Sequence, residues 1–562
     1  MRALNGPHSA MSASPRPTHS ASTAANSAPA ARHPRGHSAA SQFERQPSAL
    51  QRHAAAVGDP GPRRHVVAKR EHVLQRIDHA LKTPTAASQS VERPELSSLQ
   101  LQSKGTQLLD SRGRHVMLRG VNAGGASKKP PFFPFPFAES GHADQKDAPP
   151  FAQAAAQYLD RVSEWGHNFI RMPFSWEAVE PRRGQYDETY LERLQDFVKA
   201  AESRGLRVLV DFHQDVFARP YHGDGFPLWA MTGDKDDKPI YDERLWPVGY
   251  FVHPDVNRDF TRFWNNEDGL RDAFKDMWRQ VASKLGDADG VIGFEIINEP
   301  DAGNVDHQRW ESKVLPRFFE DVGDVIQSAA PNKLLFFESE GTEPNTDDTH
   351  LEPPGGDGDW VYSPHAYSLP RMALAQAGPL SPLARYLGPG RPGVKMDRIR
   401  GRGEDWNVPM LVGEFGISTK AYQGDEWVRR SYEALDAARL NAAIWEYSEA
   451  GYKDWNKEAM SLVDADGSLT DIGQEAVRPY PAAVAGKLRN FFYASEQRKG
   501  WVSLQAKPGV SEMRVPKALA SNGLTVHIDS KEPVEWRYDA DAQTLLLDSS
   551  TQQNVNVFFK LE

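Results

Sequence analysis

Between about residue 107 and residue 478, short apolar runs alternate with longer stretches in which apolar positions recur every three to four residues. The short runs, at Val116 to Val121, 168–172, 206–211, 291–297, 333–338, 360–364, 409–413 and 441–445, are too short for helices and rich in Val, Ile, Leu and Phe. They read as buried parallel strands. The stretches at 152–165, 188–204, 267–285, 307–328 and 425–438 carry helical spacing. Eight strands, most separated by helices, predict an eight-stranded α/β barrel, a (β/α)8 TIM barrel, rather than an open sheet.

The pattern changes at both ends. Leu108 to Val116 reads as a hairpin turning at Ser111 to Gly113. Pro130 to Phe137, an alternation of Pro and Phe after the first barrel strand, bars helix and central strand and reads as an apolar loop on the active face. It is expected to touch a lipid or membrane surface. Beyond Tyr480 helical spacing stops, and short alternating runs such as Leu524 to Ile528 predict a small β-sandwich. Residues 1–95 are rich in Ser, Ala, Pro, His and Arg, and the first acid is Glu44. That composition predicts a disordered leader, with one helical stretch from Arg70 to Lys82 that aligns Leu74, Ile77 and Leu81. The expected organisation is therefore leader 1–95, barrel 96–479 and sandwich 480–562.

Composition narrows the classes. Of 562 residues 39% are hydrophobic and 25% charged, with net charge −10, ordinary for a globular protein and without the basic balance of a nucleic-acid binder. Cysteine is absent, which removes disulfides and thiolate metal sites. No apolar run reaches the length of a membrane span, and the leader lacks the apolar centre of an ordinary signal peptide. It reads as an organelle transit peptide, as an unstructured export signal of the bacterial type III kind, or as a plain tail on a cytoplasmic protein.

The carboxyl ends of the strands carry the chemistry. The run from Val291 to Ile297 stops at Asn298-Glu299-Pro300, and the proline is expected to push Glu299 toward an extended backbone. The run ending at Gly413-Glu414 repeats the design 115 residues on. Two carboxylates on different strands of one barrel are what glycosidic bond cleavage requires. Arg171, the segment Asp211 to Asp215 with His213, the segment His365 to Tyr367, and Trp445 end other strands and are expected to face the same cleft.

Arg171, His213, Asn298-Glu299-Pro300, His365-Ala366-Tyr367, Gly413-Glu414 and Trp445 together resemble glycoside hydrolase family 5. Gly124 to Lys128 and His213 to Phe217 resemble its endoglycoceramidases, which release oligosaccharide from glycosphingolipids. The resemblance implies a retaining mechanism with Glu299 as acid/base, protonated at the start, and Glu414 as ionised nucleophile. Arg171 and Tyr367 would support Glu414, and Asn298 would bind the sugar 2-hydroxyl. His213 and His365 would position sugar or carboxylates, Trp445 would offer the sugar a flat face, and Lys128 and Asp215 would grip hydroxyls. The implied substrate is a glycan or glycolipid, and no metal or other cofactor is required. The alternatives are an endo-β-1,4-glucanase, which needs an open groove lined by aromatic platforms, and a catalytically silent carbohydrate-binding or host-interaction protein, which needs neither Glu299 nor Glu414.

Overall fold

The structure is a computed structural model describing residues 61–235, 239–341, 349–355, 358–376, 383, 385–387, 390–449 and 454–562, with side chains from residue 70. Most of the expected leader, residues 1–60, lies outside the described residues.

Eight parallel strands form one sheet: β1 (Arg119–Asn122), β2 (Phe169–Phe174), β3 (Arg207–Phe212), β4 (Val291–Glu295), β5 (Leu334–Phe337), β6 (Trp360–Tyr362), β7 (Leu411–Phe415) and β8 (Asn441–Ile444). They pair in the order β7-β8-β1-β2-β3-β4-β5-β6. A parallel bridge between Tyr362 and Met410 brings β6 and β7 together, and Ala366 N donates to Glu414 O at 2.7 Å just beyond it. The sheet is thus a nearly closed barrel. Leu118, Phe169, Leu209, Ile292, Leu334, Phe336, Val361, Leu411 and Ala443 belong to one apolar cluster within the strands, while a larger cluster joins the strands to the surrounding helices. With both faces buried, each strand needs a continuous rather than an alternating apolar run.

The first barrel strand starts later than the run from Val116 predicts. His115 and Val116 pair instead with β9 (Tyr480–Val484) and with the hairpin strand Gln107–Leu109. The amide side chains of Asn168 and Asn441 accept from the backbone of Arg119 and Leu118, marking where the chain leaves one sheet for the other. An apolar run long enough for one strand therefore serves two.

The Pro/Phe loop does not reach outward. Phe133, Phe135 and Phe137 are buried, packed edge-on or tilted against one another and against Phe151, with Tyr190 beside Phe133 and with Tyr158 and Phe197 beside Phe135. With three of the four rings buried against helices 151–164 and 188–202, the loop has little apolar surface left for lipid, and the expected membrane contact through Phe132 to Phe137 is corrected.

The C-terminal strands are β9, β10 (Gly486–Ala494), β11 (Lys499–Ala506), β12 (Gly509–Arg514), β13 (Leu524–Ser530), β14 (Val534–Asp539), β15 (Thr544–Ser549) and β16 (Gln553–Leu561). One sheet runs β10-β11-β16-β13, and the other joins the hairpin strands of residues 102–116 to β9-β12-β15-β14. Leu488, Phe491, Val502, Leu545, Val557 and Phe559 fill the space between them.

The described part of the leader includes the helical stretch expected from Arg70 to Lys82, and residues up to 95, expected to be disordered, are tied to the rest of the protein. A helix runs from Gly61 to Ala80, and Ile77 on its face is fully buried. Arg76 lies 5.1 Å from the Trp501 ring and 5.3 Å from that of Phe558. Thr85 N donates to Val526 O, Ser88 N to Trp536 O, and Leu99 N to Asp289. A polar-looking segment gains order here from partners far along the chain, at Asp289, Val526 and Trp536, which composition alone does not register.

Candidate active site

The site is built on one buried cation. Arg171, on β2, donates from Nε to Glu295, from Nη1 to Asn122 at 3.0 Å and to Glu414 at 2.6 Å, and from Nη2 to Asn298 at 2.8 Å, with Asp211 3.1 Å away. The guanidinium has no exposed surface, so only this ring of acceptors from β1, β3, β4 and β7 makes its burial tolerable. The fork geometry orients Glu414 and Asn298 together.

Glu414 accepts a second bond from the Tyr367 hydroxyl at 2.7 Å. Burial alone would raise its carboxyl, but the neighbouring His365, Arg171 and Lys128 outweigh it and hold the group at about 2. It is a carboxylate at any ordinary pH. Asp211 lies beside the same arginine, yet burial dominates there and the neighbouring Glu295 and Glu414 add to it, so its carboxyl is held well above the usual range. Three acids crowd one guanidinium, and at Asp211 burial and the repulsion of its acidic neighbours outweigh the attraction of the arginine.

Glu299 faces Glu414 across the cleft. Carboxylate oxygens of the two come within 4.8 Å, with His365 between them: Nδ1 is 2.7 Å from Glu299 Oε1 and 3.5 Å from Glu414 Oε2. On its other side the imidazole Nε2 is 3.3 Å from Glu338 Oε2. Glu338 is fully buried, and burial first, then Glu295, hold its carboxyl well above the ordinary range.

The backbone of Glu299 is not extended as expected. Its φ is +41°, the left-handed region that costs about 1–3 kcal/mol for a side-chain-bearing residue. Its N–H donates to Glu338 Oε1 at 2.6 Å, and Gln214 Nε2 donates to the carbonyls of Asn298 and Glu299 at 2.8 and 2.7 Å. These three bonds, all from neighbouring strands, override the local preference that Pro300 imposes.

His213 places Nδ1 2.7 Å from Asp211. Burial, reinforced by Lys128, keeps its imidazole well below the ordinary value and therefore neutral. Its ring stacks 5.3 Å from that of Trp445. Trp445 is only 1% exposed, so the expected open platform is a largely covered ring whose remaining surface lines the cleft. Gly124 lies against it: a Cβ there would sit 2.7 Å from the indole. Lys128 is buried, bonded to Asp215, with Nζ 4.2 Å from the Trp445 ring and 3.8 Å from that of Trp455. All ten residues expected from the sequence thus converge on one end of the barrel, but Lys128 and Asp215 stand beyond Trp445 rather than beside the two glutamates.

The cleft they form has about 740 Å3 of open space and is lined also by Pro247, Tyr250, Asp301, Glu340, Leu369 and Met372. Glu295, Glu338, Trp246 and Glu458 are the members that strand-end reasoning misses. Glu295 shows one signal, a charge inside an otherwise apolar run. Trp246 and Glu458 come from loops without periodicity.

Ligand-type atoms of His213, Asp215 and Asp224 also come within 4.8 Å of one another. Lys128 already supplies the positive charge there, so the donor set does not fit a divalent ion. What the arrangement can do is bring an ionised carboxylate and a second carboxyl to opposite sides of one anomeric carbon. A separation of roughly 5 Å leaves no room for an interposed water and suits direct attack.

Residues 133–451 match the family described as Cellulase (glycosyl hydrolase family 5), and residues 478–558 match the Glycoside hydrolase family 5 C-terminal domain. The chain is 28% identical over 407 residues to Endoglycoceramidase I of Rhodococcus hoagii, covering 69% of this chain and 73% of that one. It is 29% identical over 245 residues to a Glucosylceramidase of Cryptococcus neoformans var. grubii, covering 36% and 33%. Among solved structures it is similar to Endo-glycoceramidase II from Rhodococcus sp. in complex with a five-membered iminocyclitol, with TM-score 0.62 and 25% identity over 81% of this chain and 99% of that one.

Proposed function

The chain belongs to glycoside hydrolase family 5 and is a retaining glycoside hydrolase; from that premise we propose that it hydrolyses the β-glycosidic bond between a sugar and a lipid, with Glu414 as nucleophile and Glu299 as acid/base. Glu414, ionised and aimed by Arg171 and Tyr367, attacks the anomeric carbon while Glu299 hands its proton to the leaving oxygen. Water then enters from the leaving-group side, Glu299 takes its proton, and the glycosyl bond to Glu414 breaks with overall retention. Asn298, fixed by Arg171 and by the Gln214 carbonyl, is within reach of the sugar 2-hydroxyl. His365 holds Glu299 in place for both steps.

The observation that carries the lipid assignment is an apolar stretch of the cleft rim. Pro247, Tyr250, Leu369 and Met372 line the cleft alongside the acids Asp301 and Glu340. The same two segments continue outward into exposed Leu245, Val248, Phe251, Val252 and Leu369, with Phe251 71% exposed. Contiguous exposed apolar side chains at a catalytic mouth support an apolar leaving group presented at a lipid surface. The related proteins named for glycosylceramide hydrolysis support the same reading.

The test compares two substrates. Changing Leu245, Phe251 and Val252 together to Ser is expected to lower hydrolysis of glucosylceramide in mixed micelles by about tenfold or more, as loss of an apolar contact surface should. Hydrolysis of a soluble aryl β-glucoside should change by less than about twofold. Equal losses on both substrates contradict the lipid role.

A further inference from the structure

The sugar side of the cleft ends in a wall. Glu299 is backed by the loops after β4 and β5, where a Cβ on Gly341 would come 2.8 Å from its carboxyl. Those loops also give the cleft Asp301 and Glu340, so the leaving group that Glu299 protonates lies on their side, and the sugar ring lies toward Glu414 and Trp445. There it meets residues from three separate loops. Lys128, after β1, bonds to Asp215, after β3. Glu458, after β8, accepts from the Trp445 indole N–H at 3.2 Å and from that of Trp246 at 3.0 Å. Trp246 then packs edge-to-face on Trp455, ring centres 5.0 Å apart, and Trp455 is 1% exposed with Lys128 against its ring. On the far side of Trp455 lies a separate hollow lined by Lys129, His142, Arg219, His222 and Asn456. Lys128 and Trp246 line the cleft, Trp455 lines the hollow, and the first two pack on the third, so these side chains stand between the two spaces.

Resting on the glycosidase reading, we infer that this partition of Lys128, Asp215, Trp246, Trp455 and Glu458 closes the sugar side one residue deep, so that the enzyme removes a single terminal hexose and does not release an intact oligosaccharide. The chemistry agrees with the shape. Asp215 and Glu458 are buried acceptors with Lys128 as the cation among them, a setting that suits a free hydroxyl at the non-reducing end of the sugar. A sugar glycosylated at that oxygen has lost the donor hydrogen and adds a second ring where the indoles meet. A site built to bond a hydroxyl rejects the analogue lacking it more strongly than an apolar pocket does.

The experiment uses the full chain with soluble aryl β-glucoside and aryl β-lactoside, counting released monosaccharide and intact disaccharide by chromatography. Intact lactose is expected to form with kcat/KM lower than that of the glucoside by about a hundredfold or more. Trp246→Ala, which removes one side of the partition, should narrow that gap. Lactose release within a hundredfold of the glucoside in the unaltered protein overturns the inference. Because neither substrate is a lipid, failure of the lipid assignment leaves this result readable. Loss of all aryl glycoside cleavage would instead remove the glycosidase reading itself.

Discussion

At the scale of single residues, burial and local charge push carboxyls of one fold in opposite directions. Glu414 is drawn down to about 2 against the pull of its own burial, while Glu446, just after β8 and bonded by the Ser448 hydroxyl, is pushed up by burial to about 8. The two have opposite consequences for stability. A carboxyl depressed in the fold stabilises above its unfolded value of 4.5, and that contribution is lost as pH falls from 4.5 toward 2. A carboxyl raised in the fold is held neutral, so stability falls as pH climbs from 4.5 through about 8. Glu446→Gln should therefore gain stability over the unaltered protein at pH 8 but not near pH 4; denaturant unfolding at both values checks it, and an equal effect at the two would contradict the assigned burial. Tyr367→Phe removes one of the donors to Glu414 and should lower kcat/KM on an aryl glucoside by about tenfold or more, with the melting point little changed. Most of these residues are legible in the sequence because each ends an apolar run. Glu338 is not: it too ends a strand, but its meaning lies in His365 and the Glu299 amide, partners on other strands that a linear reading cannot pair with it.

At the scale of elements, apolar runs located all eight barrel strands because burial on both faces leaves an unmistakable pattern. Where they misled, one segment served two purposes. Val116 to Val121 supplies both a sandwich strand and a barrel strand, and the Pro/Phe loop is core rather than surface because helices 151–164 and 188–202 offer it a complementary aromatic face. The helix ending at Ala80 and the strap to residue 100 behave likewise, since their partners belong to the C-terminal domain and to the loop at Asp289. Ile77→Ala should destabilise the protein by about 2–5 kcal/mol, as for a fully buried aliphatic side chain. Its aryl glucoside kcat, measured well below the melting transition, should be unaltered; a cost within about 0.5 kcal/mol would mean that the strap does not hold in solution.

At the scale of the whole molecule, the barrel brings to one mouth the pair Glu299 and Glu414, the polar cluster of Lys128, Asp215 and Glu458, and the apolar Pro247, Tyr250, Leu369 and Met372. The sequence pattern announces the barrel and the carboxylate pair. It does not announce the rest of the mouth, because Trp246, Phe251 and Glu458 lie in loops whose character depends on where they fold back. We propose separately that the Ser-rich leader is an export signal, for which a reporter fused to residues 1–90 is the test; failure of the reporter to leave the cell rejects it. The claim on which the rest stands is that Glu414 forms a bond to the sugar. Incubation with an activated 2-deoxy-2-fluoro-β-glucoside, followed by mass spectrometry of the digested protein, measures that bond directly. A fluoroglycosyl adduct on the peptide containing Glu414, absent in Glu414→Gln, is the expected result; an adduct on another carboxylate, or turnover of an aryl glucoside by Glu414→Gln at the unaltered rate, would contradict it.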